Sequence, residues 1–255
     1  MDISQLGRAQ TIDEVITQLD EIITWASSQN NRLGYFAALY RKVTVRVREG
    51  IHTGIFQDGP RMERLDVIFA NHYLKALSQV LSGKQTRESW NVAFSSANSR
   101  QPIILQHLLL GMNAHINLDL GIASAETSPG EQIHALHTDF LEINKILASL
   151  VDEVQAEIDE LSPWVGLIDH LNPKASDAIV NFSMRKARDA AWAFALELSQ
   201  LTPAEKNWAI TKKDIRVAEL GRVIAKPPGL LFRIGLSLIS LRESGNVGRN
   251  IEVLR

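Results

Sequence analysis

Apolar residues recur at helical spacing along almost the whole chain. Ile12, Val15, Ile16, Leu19, Ile22, Ile23 and Ala26 share one face of a 3.6-residue repeat. Thr11 and Glu14 open that segment as a capping box, and Asn30–Asn31 close it. A second helix runs from Leu33 to Arg48, with Phe36, Ala37, Tyr40, Val43 and Val47 inward. Glycines 50, 54 and 59 mark a loop before Pro60 opens a third helix, which stops at Gly83. Trp90, Ala93, Phe94 and Ala97 form a short fourth helix, and Pro102 opens a fifth. Beyond Ser128-Pro129-Gly130 a long helix runs from about Glu131 to Leu161, with Leu136, Phe140, Ile143, Leu147, Leu150, Val154 and Ile158 inward. Pro163, Asn172 and Pro173 delimit a short seventh segment, and an eighth helix spans about Lys174 to Leu201. Thr202, Pro203 and Glu205 cap a ninth, which ends at Pro227-Pro228. Gly229 to about Arg242 reads as an apolar closing helix, with a membrane- or partner-facing helix as the alternative, and the glycine-containing tail 244–255 reads as irregular. No strand-like alternation appears. The pattern predicts an all-α fold: a single multi-helix, bundle-like domain over residues 1–255 around a buried central helix at about 102–123.

That central helix is where polarity interrupts the pattern. Gln106–Gly121 reads Q-H-L-L-L-G-M-N-A-H-I-N-L-D-L-G, apolar nearly all round and therefore expected to be buried. His107, Gly111, His115 and Asp119 drift along one stripe, and Asn113 and Asn117 form an i, i+4 pair on another. Burying an unpartnered imidazole or amide costs about 1–3 kcal/mol, so each group should have a partner or a purpose.

Composition narrows the classes. A formal net charge of −2 argues against a nucleic-acid surface. The absence of cysteine excludes disulfides, thiolate catalysis and cysteine-ligated metal sites. The first residues lack a basic and an apolar region, so no signal peptide is expected, and no run of about 20 apolar residues predicts a transmembrane segment. The expected location is cytoplasmic.

Several stretches resemble a microbial family of unknown function: Met62–Asn71, Gln106–Gly121, Asp139-Phe140 with Ile143-Asn144, and Ala187–Trp192. The likeness covers roughly residues 35 to 200. It implies an all-helical fold, and it implies that Arg64, Asp66, His107, His115, Asp119 and Asp139 belong to one site.

Two chemistries follow as expectations. In the first, His107, His115, Asp119, Asp66 and Asp139 hold a divalent metal (zinc, manganese or iron) for assisted hydrolysis. Helical zinc phosphoesterases use a similar H-x-x-x-D pair, although their N-terminal tryptophan and wider His/Asp series are missing here. In the second, His115 oriented by Asp119 performs metal-free acid–base isomerisation or cyclisation with Arg64. Asn113, Asn117, Arg185 and Arg188 would then bind a small-molecule substrate. The competing expectation is a non-catalytic binding or scaffold protein whose buried polar network is structural. His52, His72, His134, His137 and His170 have no companion pattern in the sequence and read as structural or exposed.

Overall fold

The chain folds around a rod of three consecutive pieces: α5 (Ile104–Ala114), a π turn (His115–Asp119) and α6 (Leu120–Thr127). The computed structural model describes residues 3–162 and 184–255, and among them every regular element is helical. Around the rod lie α1 (Ile12–Ser28), α2 (Leu33–His52), α3 (Gly59–Leu81), α4 (Glu88–Ser96), α7 (Ile133–Leu161), α8 (Met184–Gln200), α9 (Pro203–Ala225), α10 (Leu230–Ser240) and α11 (Val247–Leu254). The seventh segment and the first part of the expected eighth helix lie outside the described residues, as does His170.

Local signals place the ends. Thr11 Oγ1 accepts from the Glu14 amide at 3.2 Å, while the Glu14 carboxylate reaches one residue further back, to the Gln10 amide at 2.7 Å. Asp58 caps α3 through the Arg61 amide at 2.9 Å, and the chain leaves α3 through Gly83 in the left-handed region at φ +68°. At α9 the Glu205 carboxylate accepts from the Thr202 amide at 2.9 Å, completing the expected capping box.

The rod is buried because its small residues let neighbours close in. A Cβ on Gly111 would stand 2.4 Å from the Phe36 ring, and one on Gly121 would stand 2.9 Å from the Ala191 carbonyl oxygen. These contacts seat α2 on the first half of the rod and α8 on the second. The rod is enclosed chiefly by α2, α4 and α9 around α5, and by α3 and α8 around α6. The long helix α7 touches the rod less than these do. The α9 wall is fixed by Asp214, whose carboxylate accepts from the Glu88 and Ser89 amides at 2.8 and 2.9 Å and so caps α4.

Two boundaries differ from the pattern. α2 continues through Gly50 to His52, since Gly50 packs against Phe56 and Ile146 instead of breaking the helix. The tail is not irregular: α11 is capped by Asn246 and buries Val247, Ile251 and Leu254 at i, i+4, i+7 against α1 and α2. The closing helix α10 buries Phe232, Leu236 and Ile239, yet leaves Leu230, Ile234 and Leu238 exposed on its other side. No described helix is long and apolar enough to cross a membrane.

Candidate functional site

The polar groups of the rod meet at its π turn, where the Leu120 amide donates to the His115 carbonyl. Such turns insert one residue into a helix and often mark functional positions. His115 is 2 % exposed and sits in a box of aromatic rings. It stacks on Phe69 at a centroid distance of 3.5 Å and meets the Tyr40 ring edge-on at 4.5 Å, with Phe36, Tyr73 and Trp90 completing the box. Burial lowers its pKa despite the opposing influence of Asp119, so the ring is neutral. Its Nδ1 lies 3.5 Å from Asp119 Oδ2, and its Nε2 has no partner among the described residues.

Asp119 is the hub of this network. Oδ2 accepts from the Trp90 indole at 2.8 Å, and Oδ1 accepts from Arg87 at 3.2 Å. The carboxylate is fully buried, whereas the Arg87 side chain is 34 % exposed. A buried anion is thereby linked through one guanidinium to the surface.

The other expected site residues do not join it. Asp139 accepts from the Gln57 and Asp58 amides at 2.7 and 3.1 Å and from Arg61 at 2.8 Å, so its oxygens tie down the loop before α3. Asp66 is enclosed beside Tyr40, and burial, with the charge of Glu63, raises its pKa to about 8. His107 lies two turns up the rod, faces Tyr35 at 5.7 Å, and burial lowers its pKa to about 3. Among the described residues no three histidine, aspartate or glutamate side chains converge as a metal ion requires, so the expected five-residue metal set is not assembled. Arg64 and Arg185 are exposed. Arg188 is spent on packing: it donates to Asn144 Oδ1 at 2.7 Å and to the Phe140 carbonyl at 2.5 Å, and lies over the Phe140 ring. Asn113 donates to the Val217 carbonyl at 2.8 Å and accepts from Asn117 at 3.0 Å, which docks α9.

The accessible chemistry lies just outside the box, in a cleft over the outward face of α3. The N-terminal segment forms one wall, pinned by Asn71, which exchanges two hydrogen bonds with the Ala9 backbone at 2.9 Å, and by Ser78, which donates to the Ser4 carbonyl at 2.7 Å. The larger lobe, about 540 Å³, is lined by residues including Arg8, Lys75 and Lys84. The second, about 420 Å³, reaches Arg87, Trp90 and Asp119. His72, Lys75, Gln79 and Glu126 line both. His72 Nε2 is 3.4 Å from Glu126 Oε2. Burial acts to raise the Glu126 pKa, but His72, Arg87 and Arg8 outweigh it and hold the carboxyl below its ordinary value. His72 shows no companion in the sequence because its partner lies on a different helix. The one signal it carries there is its position on α3, one turn before Lys75 and two before Gln79.

A model of a family of unknown function, DUF5995, matches residues 12–227. The chain belongs to that family. The stretch shared with DUF5995 contains His72, Lys75, Arg87, Asp119 and Glu126 and begins after Arg8. No match was found among curated proteins or among solved structures.

Proposed function

We propose that this protein is a small-molecule enzyme whose chemistry takes place in the cleft above α3, with His72 and Glu126 as the proton-transferring pair. What carries the reading is that one His–carboxylate pair lines both lobes of a cleft large enough for a metabolite. An imidazole beside a carboxylate keeps a defined orientation and can pass a proton to or from a substrate. Arg87, held in the cleft wall by Asp119, stands where negative charge developing on a substrate would be met. His115, enclosed by rings, supports this wall from behind and does not touch substrate. An isomerisation, cyclisation or hydrolysis needing one acid and one base fits these groups.

The second reading is a helical binding protein without chemistry. It draws support from Asp139, Arg188 and Asn113, whose polar atoms are all used in holding helices together. Mass-spectrometric profiling of a metabolite mixture incubated with the protein separates the two. A substrate consumed by the native protein, and consumed about 10²–10⁴-fold more slowly by His72→Gln with an unchanged melting temperature, is the expected result. Turnover insensitive to both His72→Gln and Glu126→Gln overturns the assignment. Retention of a metabolite without conversion favours the binding protein.

A further inference from the structure

The charges around the cleft narrow the kind of molecule it takes, on the premise that it is the ligand site. Arg8, Lys75, Lys84 and Arg87 line its two lobes, against Glu126 and Asp119. Arg87 is paired with Asp119 at 3.2 Å and lines the second lobe. In the larger lobe Arg8, Lys75 and Lys84 face Glu126 as the one lining carboxylate, in a chain whose formal net charge is −2. Among the described residues no carboxylate oxygen lies within 4.0 Å of the Arg8, Lys75 or Lys84 side chains, whereas Lys42, Arg41, Arg48 and Arg61 are each paired. The three come from three segments: the pinned N-terminal strip, the face of α3, and the turn after Gly83. Arg8, Lys75 and Lys84 are exposed, yet they line one concave surface from separate segments, so their potentials add where an anion gains more than it would at a flat surface. Gln79, which lines both lobes, adds an amide able to donate or accept.

We infer that the larger lobe binds a small molecule bearing at least two negative charges, phosphate or carboxylate, gripped by Arg8, Lys75 and Lys84 with its uncharged part toward His72 and Glu126. Charge-assisted bonds of this kind fix orientation as well as affinity. Substrate charge would then be met at one end of the cleft and proton transfer would occur at the other.

Isothermal titration of the full chain with pyrophosphate, and separately with propane-1,2,3-tricarboxylate, tests this and separates the two anion types. One saturable site is expected for at least one probe. Its affinity should fall about tenfold or more in Lys75→Gln/Lys84→Gln, where two charge-assisted bonds are lost, and in Arg8→Gln by a smaller factor. Arg233→Gln, on α10, should leave it unchanged. Raising salt from about 20 to about 200 mM should weaken it as well. Absence of saturable binding by either probe, or binding indifferent to the cleft variants, overturns the inference. Failure here, combined with His72-dependent turnover of an uncharged metabolite, leaves the enzyme reading standing. Anion binding that the cleft variants abolish, with no His72-dependent turnover of any anionic metabolite, removes the enzyme reading and keeps the site.

Discussion

Asp66 should make the fold lose stability as pH rises, and replacing it with asparagine should remove that loss. Its carboxyl is enclosed beside Tyr40, one oxygen has no partner among the described residues, and burial with Glu63 raises its pKa from 3.8 to about 8. Between those two values the folded chain keeps a proton that the unfolded chain has released. Stability follows the difference in bound protons, unfolded minus folded, so it falls by about 1.4 kcal/mol per pH unit across that window. The contribution is fully favourable below the unfolded pKa and is lost by the time pH passes the folded one. Over roughly four units the loss is on the order of 5 kcal/mol, a large share of the stability of an ordinary domain. The side chain introduced by Asp66→Asn is neutral throughout, and its extra donor adds an offset of about 1–3 kcal/mol that does not change with pH. Urea denaturation of both proteins at several pH values from about 5 to about 8 isolates the effect. His107, whose lowered pKa destabilises the fold on the acid side, titrates alike in both chains and cancels in the difference. The stability gap between variant and native protein should grow steadily in the variant's favour as pH rises. A gap that stays constant across this range refutes the reasoning, because it would mean that Asp66 ionises in the fold as easily as in the open chain.

Asp119→Ala should cost about 3–5 kcal/mol in chemical denaturation, because the Trp90 indole loses its acceptor and Arg87 its counter-ion; a cost under about 1 kcal/mol would show that the hub is not holding them. His115→Phe should cost about 1–3 kcal/mol on thermal melting, since a larger ring must fit a box in which Phe69 already stands 3.5 Å away; an unchanged melting temperature would mean that the box yields freely. Gly111→Ala should lower stability by about 1–3 kcal/mol in the same assay, although alanine is the better helix former, because its methyl would stand 2.4 Å from Phe36; an increase would mean that α2 can step away freely.

Much of the architecture could be read from residue spacing, because helices here are amphipathic and strongly capped. The faces of α1, α3 and α7, the cap at Thr202–Glu205 and the burial of Gln106–Gly121 follow from local rules that act within a turn or two. The site was not readable in the same way. His115 and Asp119 stood out by their polarity in an apolar stretch, and they do meet, but the rings that enclose them come from α2, α3 and α4. Asp139 looked available because two of its partners, the Gln57 and Asp58 amides, are backbone groups that no side-chain pattern reveals, and the third, Arg61, lies on another helix. His72 and Glu126 become a pair only when α3 packs on α6. The π turn could not have been foreseen, since an inserted residue leaves the one-dimensional pattern of apolar positions almost unchanged. In the tail, glycines at 245 and 248 masked a period carried by Val247, Ile251 and Leu254.

The extra residue at the π turn also sets the phase of everything after it. Each helical residue turns the chain by about 100° and advances it about 1.5 Å, so deleting one position between His115 and Asp119 would swing the far end of the rod by more than a quarter circle. Gly111 would still nest against Phe36, while Gly121 would be carried off the Ala191 carbonyl it now fits and a bulkier neighbour driven toward it. The two ends of the rod are keyed to different partners, and the wide turn is the coupling that lets both keys engage at once.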